Sequence, residues 1–173
     1  MNIQPIKNIV KSFCHGYKLA LIKHRIKMNN GHFEHTMIGT IKESGTEIIL
    51  SNDAIYFRTG HGNSLPTAMA IVAEGVKGIF INKKFLEAPA WFQDAILMHE
   101  EGHINLNVVY EFKETYTEDE TNNVMSCEYQ ADLYSAGKGY RMKDALKYMM
   151  CFIGEELKPQ LNLRIANLSN HGY

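Results

Sequence analysis

The chain has 173 residues, of which 45% are apolar and 21% are charged, and its formal net charge is −1. This length suits one compact domain rather than two of ordinary size, and 13 glycines and 4 prolines exclude collagen-like and low-complexity sequences. Apolar runs are shorter than the roughly 18 residues of a membrane-spanning helix, and the N-terminus lacks the pattern of a secretory signal peptide. We therefore predict a single soluble domain over residues 1–173.

The charge is distributed unevenly along the chain. Residues 1–28 contain six basic and no acidic side chains, which leaves 12 basic and 19 acidic residues, a net charge of −7, in the rest. Apolar residues recur within 1–28 at steps of three and four, which predicts a basic amphipathic helix. Such a helix most often packs its apolar stripe on its own domain, but it can also dock on a partner or on an anionic surface. Nucleic acid is not a partner that we expect.

Two segments in the first half of the chain have the pattern of strands. Residues 32–50 predict a β-hairpin that turns at 43–46. Residues 68–73 and 78–81 predict two further strands joined around Glu74 and Gly75, although periodicity alone also allows a helix over the first of them. Together these strands predict a small antiparallel sheet.

The second half of the chain predicts helices. Pro89 suits the first turn of a helix whose apolar residues continue to Leu106. The next helix is predicted to begin near Asn122 or Asn123, both good N-caps, and to end at Gly137. Two more follow, over 142–153 and around 163–168. A small sheet followed by helices predicts the α+β class.

The most informative stretch is His99-Glu100-Glu101-Gly102-His103, an H-E-x-x-H motif on a predicted helix. Two histidines four residues apart lie on one face of a helix, so both rings can bind one Zn²⁺ at about 2.0 to 2.1 Å. Glu100 then lies beside the open position of the metal and can act as a general base. An H-E-x-x-H motif also occurs by chance. The alternative to a metal site is a helix whose histidines and glutamates face solvent.

A second pair of acidic residues supports the metal site. Glu128 and Asp132 are spaced i and i+4 on a predicted helix, and Ala131 between them is small enough for another helix to come close. A catalytic zinc ion takes three protein ligands and one water, so Glu128 can complete a set with His99 and His103. Asp132 can accept a hydrogen bond from the ring nitrogen of a ligand histidine that does not bind the metal.

These motifs resemble those of the gluzincin metallopeptidases, and specifically the family of the HtpX heat-shock protease and the CAAX prenyl proteases. Weaker matches extend the resemblance over about residues 64–168: Pro66-Thr67-Ala68-Met69-Ala70, Gly139-Tyr140 before Asp144-Ala145-Leu146, and Lys158-Pro159 before Arg164-Ile165. The chain lacks the family's usual Asn in the first segment and Pro in the second, and Lys158 replaces a His. The resemblance implies a zincin-like fold in a minimal soluble form, with its active site on the H-E-x-x-H helix.

The resemblance also implies hydrolysis of peptide bonds in a protein or peptide substrate. Zinc lowers the pKa of its bound water toward about 7, and Glu100 accepts the proton and passes it to the leaving amine. A hydrogen-bond donor must stabilise the negative oxygen that develops on the substrate. In gluzincins a Tyr, His or Arg often supplies this donor, and the candidates here are Arg164, Tyr140 and Tyr116, in falling order.

Three functions remain open. The first is a zinc-dependent metalloendopeptidase, and the second is a regulatory peptidase similar to the ImmA/IrrE group, which cleaves one partner protein. The third is an adaptor that keeps zinc for stability while residues 1–28 bind nucleic acid, a membrane or a larger assembly. Three widely spaced cysteines, Cys14, Cys127 and Cys151, favour a reducing compartment, so we predict a cytoplasmic protein.

Overall fold

The computed structural model describes residues 35–51, 65–73, 76–108 and 117–173. The chain divides into two compact units, residues 1–88 and 89–173. The first contains strands and the second contains helices, so the predicted α+β class is confirmed. The predicted basic helix over 1–28 lies outside the described residues, and a single domain and a zincin-like arrangement stay predictions.

The first unit contains a four-stranded sheet and one short helix. The strands are β1 (His35–Thr40), β2 (Glu47–Ser51), β3 (Ala68–Ala73) and β4 (Val76–Ile81), in the order β1-β2-β4-β3. Helix α1 (Lys83–Glu87) follows β4 and was not predicted. Its N-cap is Asn82, whose side-chain oxygen accepts hydrogen bonds from the backbone N–H groups of Phe85 and Thr67.

The pairing of the strands corrects one expectation. The predicted hairpin is present as β1 and β2, and β3 and β4 form the second antiparallel pair. However, β2 pairs with β4 in parallel, so the sheet is mixed and the prediction of an antiparallel sheet is wrong at this pair. Alternating apolar side chains indicate that a strand has a buried face, but they carry no information about the direction of the neighbouring strand.

The second unit contains four helices, α2 (Ala90–Asn105), α3 (Glu118–Gly137), α4 (Met142–Met149) and α5 (Lys158–Asn170). Helix α3 packs against α2 and α5, and α4 also packs against both of these helices. Among the described residues, no helix has the length and apolar character that crossing a bilayer requires.

The predicted ends of three helices are wrong. Helix α3 begins before Asn122 and Asn123, because Thr117 and Glu120 form a reciprocal capping box five residues earlier than that predicted cap. Three acidic residues in the first turn also interact favourably with the helix dipole. Helix α4 ends at Met149 rather than at 153, and α5 extends over 13 residues where only 163–168 was predicted.

Helices α2 and α3 approach each other closely at Gly102. A Cβ atom at Gly102 would lie 3.1 Å from Cα of Ala131 and 3.2 Å from Cβ of Tyr134. Ala131 is fully buried, which confirms that a small residue allows another helix to come close here. Farther along the same contact, the Ser135 hydroxyl donates a hydrogen bond of 2.9 Å to the carbonyl oxygen of Ala95.

We expect Gly102→Val to lower the free energy of unfolding by about 1–3 kcal/mol, because the added methyl groups must displace backbone atoms of α3. Urea denaturation of the metal-free protein measures this change. Gly39→Val is the control, since a Cβ atom at Gly39 meets no atom within 4 Å. Equal stability of the two variants would contradict the close approach.

Candidate metal centre

Two helices of the second unit bring the predicted ligands together. His99 and His103 lie one turn apart on α2, and their relative exposures are 4% and 5%. Glu128 and Asp132 lie one turn apart on α3, where the Glu128 side chain is 13% exposed and Asp132 is fully buried. The i and i+4 spacing on each helix therefore places two pairs of polar side chains at one contact between helices.

His99, His103 and Glu128 form a group that can hold a metal ion. The two Nε2 atoms are 3.1 Å apart, Oε1 of Glu128 lies 3.3 Å from Nε2 of His103, and Oε2 of Glu128 lies 3.4 Å from Nε2 of His99. Ligand atoms about 2.05 Å from a tetrahedral zinc ion stand about 3.3 Å from each other. The two nitrogens and the Glu128 carboxylate therefore lie close enough together to surround one ion of this size.

The remaining nitrogen of each imidazole has a partner that orients the ring. Nδ1 of His103 lies 2.9 Å from the carbonyl oxygen of Val108. Since a carbonyl only accepts, Nδ1 carries a proton and donates it, so Nε2 is the nitrogen of this ring that can bind a metal. Nδ1 of His99 lies 2.9 Å from Oδ1 of Asp132, in a bent contact that is chiefly electrostatic. This contact places Asp132 where the sequence predicted it.

Arg164 of α5 connects the two carboxylates. Its Nε and Nη2 atoms donate to the two oxygens of Asp132 at 2.8 and 2.7 Å, and its Nη1 atom lies 2.7 Å from Oε2 of Glu128. Such a two-point pairing fixes the plane of the Asp132 carboxylate as well as its position. The guanidinium therefore fixes Glu128, which is a predicted metal ligand, and Asp132, which contacts the predicted ligand His99.

Opposite charges in this buried cluster shift the pKa values of its members. Burial alone raises the pKa of Glu128 and of Asp132, but the positive charge of Arg164 and contacts with the histidines outweigh it, so the pKa of Asp132 is lowered and that of Glu128 is well below its usual range. Burial opposes a charge on His99, yet Asp132 and Glu128 raise its pKa to about 10. The two carboxylates thus contact the guanidinium of Arg164 and an imidazole whose charged form they favour.

A proton and a metal ion would compete for Nε2 of His99. This atom lies 3.1 Å from Nε2 of His103, so without a metal ion the two rings can share a proton between these atoms. A divalent cation bound by both Nε2 atoms must displace this proton. Because metal and proton compete for the same nitrogen, binding is expected to weaken as pH falls.

Two consecutive glutamates of α2 have different surroundings. Glu100, the predicted general base, is half-buried beside His99. Glu101 is 1% exposed, and one of its oxygens accepts a hydrogen bond of 2.8 Å from the amide of Asn105. The same amide donates to the hydroxyl of Tyr134 on α3. Glu101 therefore belongs to the contact between α2 and α3, a role that sequence reasoning missed.

The three candidates for the oxyanion donor have different placements. Arg164 is held against Asp132 and Glu128, as described above. Tyr140 lies in the turn after α3, where its backbone N–H donates to the carbonyl of Ser135. Tyr116 lies outside the described residues. The structure places Arg164 in contact with Glu128 of the ligand group, and the role of each candidate as an oxyanion donor stays a prediction.

Comparison of the chain with protein-family models, with curated proteins and with solved structures finds no match. The resemblance to the gluzincin family therefore rests on the motifs alone.

We expect the protein to bind one Zn²⁺ per chain, and His103→Ala to lower the affinity by more than about 100-fold, because loss of an outer-shell partner alone typically costs 10–100-fold. Competition with a chromophoric chelator measures the affinity. His171→Ala is the matched control, since His171 is exposed at the end of α5 and contacts the carbonyl of Asn167. Equal affinities of the two variants would refute the ligand assignment.

We also expect Arg164→Met to lower the free energy of unfolding of the metal-free protein by about 3–5 kcal/mol, because it leaves two buried carboxylates without their cation. Asp144→Asn is the control: it breaks an exposed pair with Arg141 and should change stability by less than about 1 kcal/mol. Chemical denaturation compares them. A loss for Arg164→Met as small as that of the control would show that the cluster does not need the guanidinium.

Proposed function

We propose that this protein is a zinc-dependent metalloendopeptidase. The observation that supports the proposal best is the grouping of His99, His103 and Glu128, in which the two Nε2 atoms are 3.1 Å apart and each lies 3.3 to 3.4 Å from an oxygen of Glu128. Zinc suits two imidazoles and one carboxylate, and a set of three protein ligands is typical of catalytic sites, whereas structural zinc sites have four. Among the residues that the structure describes, three side chains form the ligand group.

A bound zinc ion supplies two kinds of chemistry, since it lowers the pKa of water to about 7 and polarises a carbonyl group. The side chains do the rest. Glu100 accepts a proton from the attacking water, the oxygen of which bonds to the carbonyl carbon of the substrate. Glu100 then gives that proton to the amide nitrogen as the C–N bond breaks. Each cleavage therefore consumes one water and regenerates the carboxylate.

The surrounding groups keep this arrangement in place. Asp132 and the Val108 carbonyl orient the two imidazoles from the side opposite to the metal position. Because Arg164 contacts both carboxylates, we expect its guanidinium to fix them in place rather than to donate a hydrogen bond to the substrate oxyanion. Tyr140 stays a candidate for the oxyanion donor.

The substrate class and the cellular setting are part of the same proposal. We expect an unfolded or extended protein segment as the substrate, with residues 1–28 available for docking on a partner or an anionic surface. The cytoplasmic location predicted from the cysteines also stays a prediction. Of these, Cys127 is buried, Cys151 is exposed, and both are free thiols.

We expect Glu100→Gln to lower the rate of peptide hydrolysis by about 10²–10⁴-fold while zinc affinity is retained, because the amide cannot accept the proton of water. The assay uses the zinc-loaded protein with unfolded casein and a library of quenched fluorescent peptides. Glu118→Gln, an exposed substitution in the first turn of α3, is the control with unchanged activity.

The same assay separates the competing functions. Cleavage of one cellular protein, with no cleavage of casein or peptides, would favour the regulatory peptidase. Zinc binding without any cleavage that depends on Glu100 would contradict a peptidase and favour the adaptor.

A further inference from the structure

Helix α2 ends in a motif that includes a metal ligand. The backbone N–H of Val108 donates to the carbonyl of His103 at 3.0 Å, and the N–H of Asn107 points to the carbonyl of Ile104 at 3.4 Å. Asn107 has φ of 53°, in the left-handed region. These features define a Schellman motif, in which the residue after the C-cap reverses the chain by adopting a left-handed conformation.

Two other helices of the unit end in the same way but with glycine. Gly139 follows α3 with φ of 86°, and the N–H of Tyr140 donates to the carbonyl of Ser135. Gly172 follows α5 with the same φ and the corresponding pair of hydrogen bonds. Asn107 is the non-glycine residue with positive φ among the described residues. Asparagine tolerates this conformation better than most residues with a Cβ atom.

The motif at Asn107 differs from the other two in what it holds. Val108 forms two hydrogen bonds with His103. Its N–H donates to the His103 carbonyl, and its own carbonyl accepts from Nδ1 of the His103 ring at 2.9 Å. The second bond requires the chain to reverse at Asn107, because an extended continuation would carry the Val108 carbonyl away from the ring. The backbone of Asn107 thus brings the Val108 carbonyl within hydrogen-bond distance of Nδ1 of His103.

We propose that Asn107 is a positioning residue for the metal centre, acting through its left-handed backbone. By turning the chain it presents the Val108 carbonyl to His103, fixes the proton on Nδ1 and leaves Nε2 facing His99 and Glu128. The inference rests on the metal-binding part of the proposed function and is independent of peptidase activity. The end of helix α2 would then orient His103, as the carboxylate of Asp132 orients His99.

The test compares two variants that both remove the asparagine side chain but differ in the cost of a left-handed backbone. Asn107→Val disfavours this conformation strongly, whereas Asn107→Gly adopts it readily. Gly139→Val is the matched control, because it places the same side chain at the same position of a Schellman motif, where a Cβ atom meets nothing within 4 Å. If Asn107→Val does not fold, Asn107→Ala replaces it and Gly139→Ala becomes the control.

Two measurements are made on the full chain. Chelator competition gives the Zn²⁺ affinity, and ¹⁵N NMR of the imidazoles in the metal-free protein shows which nitrogen of His103 carries the proton. We expect Asn107→Val to lower zinc affinity by about 10–100-fold and to move the proton from Nδ1 toward Nε2. Asn107→Gly should retain both properties of the wild type. Gly139→Val should lower the urea midpoint without changing either property.

Three results would overturn the inference. The first is that Asn107→Val keeps the zinc affinity of the wild type and the proton on Nδ1 of His103, which would show that Asn107 only ends the helix. The second is an equal loss in Asn107→Gly, which would assign the effect to the asparagine side chain. The third is an equal loss in Gly139→Val, which would show that affinity follows stability. If the wild-type protein has no peptidase activity but Asn107→Val still moves the His103 proton and weakens zinc binding, the proposed function is refuted and this inference stands.

Discussion

The candidate metal centre depends on a buried arrangement of charge around Arg164. Two carboxylates cannot remain ionised inside a protein without cations beside them, because burial strongly disfavours the charged form. The guanidinium lies 2.7–2.8 Å from Asp132 and from Glu128, and it lowers the pKa of both. This contact joins α5 to α3 and keeps Glu128 charged, which is the state in which a carboxylate binds a metal.

The two imidazoles are held by different means. His99 is oriented from another helix, through Asp132 on α3, whereas His103 is oriented by the end of its own helix, through the Val108 carbonyl. Both arrangements direct Nε2 toward Glu128. The close contact between Gly102 and Ala131 makes this possible, since a larger residue at either position would move α3, and the carboxylates with it, away from α2.

The parts of the site that follow from local spacing were predictable. The i and i+4 patterns identified His99, His103, Glu128 and Asp132, and the structure brings all four together. Ala131 was predicted to allow close helix packing for the same reason. Spacing within one helix fixes which side chains share a face, so such predictions need no knowledge of the rest of the chain.

The contacts that the sequence did not reveal join segments that are distant along the chain or depend on backbone conformation. The pairing of Arg164 with Asp132 spans 32 residues, and the parallel pairing of β2 with β4 depends on how strands are ordered. The role of Val108 follows from a left-handed residue. Asparagine just after the last helical turn is a recognised C-cap signal, so Asn107 could have been found from the sequence.

X-ray absorption spectroscopy of the zinc-loaded protein tests the central claim most directly, because it reports the identity and distance of the ligand atoms. We expect only nitrogen and oxygen neighbours at about 2.0–2.2 Å, with imidazole scattering from two histidines. A sulfur neighbour at about 2.3 Å would contradict it, since that would bring in a cysteine such as Cys127, which is next to Glu128 in the chain. A spectrum with fewer than two imidazoles would contradict it equally.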